Sequence, residues 1–95
     1  MPHANRARGE VIAVLAGQPR RLCLTLGALA ELETGFAVDG WPDLVERLRA
    51  LSARDLTQVL AALLRGGGEG EVDLSAVEFR EAAEAVAAAF AAAGR

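Results

Sequence analysis

The stretch RGEVIAVLAGQPRRLCLTLGALAELE, residues 8–33, decides the fold. It opens with a β-branched apolar run, EVIAVL at Glu10–Leu15, breaks at Gly17, Gln18 and Pro19, and resumes at residues 20–24. Gly and Pro between two such runs predict a β-hairpin over residues 10–24. Strand side chains alternate, so Leu22 and Leu24 share one face and Cys23 takes the other. Two strands alone are marginal in water, so the ribbon must lie against helices or another chain. It feeds straight into an amphipathic helix near residues 25–35. Thr25 caps that helix by accepting an orphan backbone N–H, and Leu29, Leu32 and Phe36 form its apolar stripe. Gly27 and Ala28 are small enough to admit another backbone, and Gly35 is placed to end the helix in a left-handed conformation.

Working outward, the rest of the chain reads as helices. Trp41 sits in a loop before Pro42, which opens a helix over residues 42–51 with Leu44, Val45, Leu48 and Leu51 inward. Ser52 and Asp55 form a capping-box pair for a third helix, residues 52–65. There Leu56, Val59, Leu60, Leu63 and Leu64 give the clearest helical period in the chain. Gly66, Gly67, Gly68, Glu69 and Gly70 read as a flexible loop. Ser75 and Glu78 predict the start of a fourth helix, residues 75–93, whose apolar side carries Phe79, Ala82, Ala83, Val86 and Phe90. The Ala run beyond Val86 is helical by propensity but offers little to pack. The expected fold class is α+β: an N-terminal β-hairpin followed by a bundle of about four α-helices. Residues 1–8 read as a flexible tail and residues 9–95 as a single domain.

Ninety-five residues with 53% hydrophobic content suit one packed domain, and a chain this short buries about two-thirds of its unfolded surface. Twenty-one of those residues are Ala, which contributes little transfer free energy per side chain. The core should be thin, which invites a homo-oligomer or a bound partner. Formal charge is −3 and uneven, with +3 in residues 1–24 and −6 in residues 25–95. Four Arg beside an acidic helical body make a poor phosphate footprint, so no nucleic acid is expected and complementarity to a protein partner is. The lone Cys23 excludes an internal disulfide, residues 1–10 lack the apolar run of a signal peptide, and no apolar stretch nears the roughly 20 residues of a membrane span. A soluble, cytoplasmic protein is expected, without membrane partners.

No catalytic constellation emerges. Glu31 and Glu33 are two apart on a helix, so they point to nearly opposite sides and read as solvated charge rather than an acid–base pair. The glycine loop follows its helix, lacks Lys, and carries Glu69, Glu71 and Asp73 where phosphate would be repelled. Those acids also lack the calcium-loop pattern. A lone His3 and a lone Cys23 make no zinc site, and Cys23 has no base to activate it. Residues 43–65 can be drawn as a helix-turn-helix, but Arg54, Thr57 and Gln58 around Asp55 are a weak base-reading set. Two helices packed by their Leu faces explain the pattern better. The expectation is no enzyme, no cofactor, no metal and no small-molecule substrate.

The candidates that remain are surface contacts. Trp41 reads as a staple onto the following helix or an anchor for a partner, and Phe79, Val86 and Phe90 pose the same choice between core and contact. Among the aromatic rings, exposure is expected more at Phe90 than at Phe79, because Phe90 lies among alanines.

The order "RGEV, Gly turn, RLCLTLGALAELE" resembles the small gene-transfer-agent family proteins of phage-like tail gene clusters. The likeness continues through LSARDL at residues 51–56 and AALLRGGG at residues 61–68. It is least clear in the acidic segment 69–73 and the Ala-rich tail. Members look like products of the tail-morphogenesis region of alphaproteobacterial gene transfer agents. They are grouped with phage tail assembly chaperones, although tail-tube naming is also attached to them. The resemblance implies a non-enzymatic role in building a tail, with tail proteins as partners. Its first implication is a chaperone that coats the tape-measure protein, leaving presence in the finished particle open. Its alternative is a structural, tail-tube-associated component or a small helical adaptor.

Overall fold

A computed structural model describes residues 8–94. Two strands, β1 (Glu10–Leu15) and β2 (Gln18–Cys23), are followed by helices α1 (Leu26–Phe36), α2 (Trp41–Arg47), α3 (Ala53–Gly66) and α4 (Phe79–Ala93). A single 3-10 turn, Leu48–Ala50, extends α2. The architecture is therefore α+β, a hairpin followed by four helices. Of the expected tail at residues 1–8, all but Arg8 lies outside the described residues.

The hairpin is tighter than its Gly-Gln-Pro break suggests. Leu15 pairs with Gln18, leaving a two-residue turn at Ala16 and Gly17, both with positive φ, 51° and 80°. Such a turn matches the right-handed twist of the flanking strands. Gln18 and Pro19 thus belong to β2, and Pro19 stands opposite Val14. A closing pair of this kind is hydrogen-bonded, so the pairs alternate from it. Val11–Leu22, Ala13–Arg20 and Leu15–Gln18 exchange bonds, while the backbone groups of Ile12, Val14, Pro19 and Arg21 point away from the ribbon. Pro19 has no N–H to leave unpaired there, which suits it to that site.

Helix α3 is the centre of the molecule, touching α1, α4 and β2. Its predicted stripe is buried at every position, Leu56, Val59, Leu60, Leu63 and Leu64, together with Ala62. Leu15, Leu22, Leu32 and Leu44 complete the core from the other elements. Thr25 and Ser52 cap as the sequence predicts: Thr25 Oγ1 accepts the Ala28 N–H at 3.0 Å, and Ser52 with Asp55 forms a capping box.

Five expectations need correction. Helix α1 ends not on Gly35 but on Ala37, which itself takes the left-handed φ of 54°; Gly35 lies inside the helix, where a Cβ would collide with the Gln58 side chain. The second helix stops at Arg47 and is extended only by the 3-10 turn, and Trp41 is its first residue rather than a loop residue. Helix α4 begins at Phe79, capped by a reciprocal Glu78–Glu81 pair, because the Ser75 N–H and hydroxyl both turn to Asp73 at 3.0 and 2.7 Å. Gly66 and Gly67 are not slack linker: a Cβ on either would strike the carbonyl oxygens of Cys23 or Arg21, so these glycines let the end of α3 press on β2. The Ala run of α4 is likewise a packing surface, with Ala82, Ala85 and Ala89 buried. Small side chains let α4 lie close along β1, from Glu81, which accepts the Ala16 N–H at 3.2 Å, to Ala92 and Ala93 beside Gly9.

Candidate partner-binding surface

Helices α2 and α4 splay where the 3-10 turn and the start of α3 meet them, leaving an open groove of about 460 Å³. Trp41, Phe79, Val86 and Phe90, the four residues singled out from the sequence, all line it. On α4 the lining falls at Phe79, Ala83, Val86, Ala87 and Phe90, the spacing of one helical face. Val86 forms the buried floor, at 7% exposure. Trp41 and Phe90 stack in a tilted pair, ring centroids 5.9 Å apart and planes at 32°. Phe79 stands out from the far end, 61% exposed, against 41% for Trp41. The expected order of exposure is therefore reversed: Phe90 is partly shielded by the indole, and Phe79 is not. Trp41 packs on Phe90 of α4.

Sequence reading misses the contribution of Val45, Leu48, Leu51 and Leu56, which it turns inward and which also line the groove. The position of Leu56 at the first turn of α3, where the helix emerges from the core, is the signal that could have placed it there. Among the described residues, Arg49 is the one ionisable side chain in the lining. The groove offers apolar contact with one cation at the rim, Arg49, which exposed Glu46 meets at 3.6 Å.

Several charged residues elsewhere pair within the fold. Arg8 and Arg21 both pair with buried Glu10, at 3.0 and 3.6 Å, and Arg20 pairs with Glu69 at 3.3 Å. The arginines of residues 8–21 therefore face internal acids, not an open basic patch. Glu31 binds Arg65, which also reaches Glu71 at 3.4 Å, and hydrogen bonding to Glu31 holds Arg65 protonated above its usual range. Glu33 instead accepts the Gly40 N–H at 3.1 Å, so the two carboxylates diverge. Arg47 ties three helices together, donating to Asp55 at 2.7 Å and lying 4.9 Å over the Phe36 ring. That bond, with the Ser52 N–H, holds the Asp55 carboxyl below the usual carboxylate range. Thr57 donates back to the Ala53 carbonyl at 2.9 Å, and Gln58 fills the space left by Gly35.

Cys23 is buried, and its Sγ donates to the Arg8 carbonyl at 3.3 Å. Burial pushes the thiol above its ordinary value, the opposite of what a nucleophile needs. Among the described residues no cluster of three or more His, Cys, Asp or Glu side chains could hold a metal ion. No helix among them is long and apolar enough to cross a membrane.

With that geometry in place, comparison with known families is decisive. The model of the family described as "Phage tail tube protein, GTA-gp10" matches residues 8–95, from the start of the hairpin through α4. The chain belongs to this family. A gene-transfer-agent tail protein is thus what the hairpin and α1 pattern pointed to. The GTA-gp10 description names a tail tube protein and gives no support to a tape-measure chaperone. The match also takes in the acidic segment 69–73 and the Ala-rich helix, where the sequence likeness was least clear. No curated protein and no solved structure matches the chain.

Proposed function

We propose that this chain is a non-enzymatic structural component of a gene-transfer-agent tail, associated with the tail tube, that holds a neighbouring tail protein in the groove beneath Trp41 and Phe79. The observation that carries the reading is the family match across residues 8–95. The groove supplies a surface suited to the task. Large aromatic side chains at a partly desolvated site are the usual anchors of protein interfaces, and a groove of this shape takes the apolar face of a helix. Arg49 at the rim favours a partner with a carboxylate beside its apolar stripe.

A two-stranded ribbon offers little sheet for closing a tube wall by itself, so the role is attachment to tube or tail neighbours. Counting the chain by quantitative mass spectrometry in purified particles tests this. The account expects several copies per particle, at fixed ratio to the other tail proteins. A chain required for tail formation but absent from finished particles would overturn it and favour the tape-measure chaperone instead.

A further inference from the structure

The groove between α2 and α4 has two unlike ends. Trp41 and Phe90 meet across one of them, their ring centroids 5.9 Å apart. Leu56 and Phe79, which also line a smaller hollow with Ala53 and Thr57, mark the other. Helix α2 therefore runs toward the Phe79 end and α4 away from it. Arg47, the last residue of α2, fits that course by reaching Asp55 in the first turn of α3 at 2.7 Å. Two exposed arginines stand at the Phe79 end. Arg49 lines the groove from the 3-10 turn that extends α2. Arg80 follows Phe79 in the first turn of α4, two turns before Ala87 of the lining, so it flanks the groove from the opposite side. Of the acids nearby, Glu78 and Glu81 are engaged in the cap of α4 and Asp55 by Arg47. Glu46 and Glu84 each stand one turn closer to the Trp41 end. Helices α3 and α4 both begin at the Phe79 end, and helix starts carry partial positive charge. That end is the positive one.

Resting on the reading of the groove as the seat of a neighbouring tail protein, we propose that its occupant is an amphipathic helix of that protein. The helix lies antiparallel to α4, and its C-terminal turn, carrying a carboxylate, sits between Arg49 and Arg80. Charge decides the direction. The last turn of a helix leaves carbonyl oxygens without partners and holds the negative end of the dipole. Two guanidinium groups and the starts of α3 and α4 attract it. The reverse direction would set a positive helix end against them. Length follows from the lining, since Phe79 to Phe90 spans about 16 Å at the helical rise, or about three turns of the guest. Its apolar side chains recur at i, i+3 or i+4, and i+7, and the small Ala83 and Ala87 of the lining leave them room. Arg49 can turn to the guest carboxylate, because its pair with Glu46 joins two exposed side chains and such pairs contribute little.

A photo-crosslinking residue placed singly at position 79 or 87, in chain co-expressed with the tail genes, reads the direction once the adducts are mapped by mass spectrometry. Circular dichroism verifies each fold. Both positions are expected to capture one segment of one tail protein. The site reached from position 79 should lie about eight residues C-terminal to the site reached from position 87, with an Asp or Glu within one turn of it. Arg49→Glu combined with Arg80→Glu should lower the yield from position 79 about fivefold or more. Arg54→Glu, an exposed site outside the lining, should leave it unchanged. Sites in the opposite order, a captured segment without an acidic residue there, or a yield that the paired reversal does not lower overturns the proposal and leaves the groove as the seat of a tail protein. Adducts with a second copy of this chain alone, or none from either position, overturn both readings.

Discussion

The carboxylate of Glu69 accepts the backbone N–H of Arg21 at 3.1 Å, across 48 residues of sequence. The same side chain binds the Arg20 guanidinium at 3.3 Å, and its own N–H donates to the Leu64 carbonyl at 2.9 Å. An acidic residue that reads as part of a solvated loop thus fastens the end of α3 to the outer strand. Replacing it leaves a strand amide without its partner. Glu69→Ala should cost about 1–2 kcal/mol in denaturant unfolding, with faster hydrogen exchange at the Arg21 amide.

Close approach of backbones makes the next test. Gly67→Ala drives a methyl into the Arg21 carbonyl, and Gly66→Ala does so at Cys23. Overpacking of this kind costs about 1–3 kcal/mol. Gly27→Ala meets only the Thr25 hydroxyl, at 3.8 Å, and should be neutral or stabilise α1 by a few tenths of a kcal/mol, given the helix preference of Ala. Thermal melts of the three variants separate packing from glycine's general flexibility.

The start of α3 should be sensitive to acid. Ser52→Ala removes the hydroxyl that accepts the Asp55 N–H at 3.1 Å and should cost about 1 kcal/mol. Asp55 contributes through its ionised form. Its carboxyl is held below the ordinary 3.8, so its stabilisation is present above the unfolded value and fades as pH falls through the folded one. Stability curves of wild type and Asp55→Asn should therefore converge below about pH 4 and separate above it.

Core and groove respond differently to truncation. Leu63→Ala empties a fully buried site and should cost about 2–5 kcal/mol. Phe79→Ala removes a ring that is mostly in solvent, and should change stability by less than about 0.5 kcal/mol. In a pull-down from cells expressing the tail genes, Phe79→Ala should recover less tail protein than the wild type while Gly27→Ala recovers as much.

Much of this fold is legible wherever a local rule and the tertiary packing agree. The five-residue stripe of α3, the Thr25 cap and the Ser52–Asp55 box each follow from spacing that the core then reinforces. Legibility fails where a residue's role is set by a distant neighbour. Gly66 and Gly67 signal a loop, yet their smallness serves the carbonyls of a strand over 40 residues earlier. Ser75 has the spacing of a cap but is captured by Asp73, whose carboxyl that bonding holds below its usual range. Gly35 is kept by Gln58, leaving Ala37 to take the left-handed turn. In the groove, the face of α4 can be traced from its spacing; which phenyl ring Trp41 shields cannot, since that depends on how α2 lies against α4.

The central claim, that the groove holds another tail protein, is tested most directly by a photo-crosslinking residue at position 79 in chain assembled into particles. The account predicts an adduct with a different tail protein that is absent when the residue sits at position 26, where Leu26 is 83% exposed outside the groove. An adduct from position 26 with none from position 79 would contradict it.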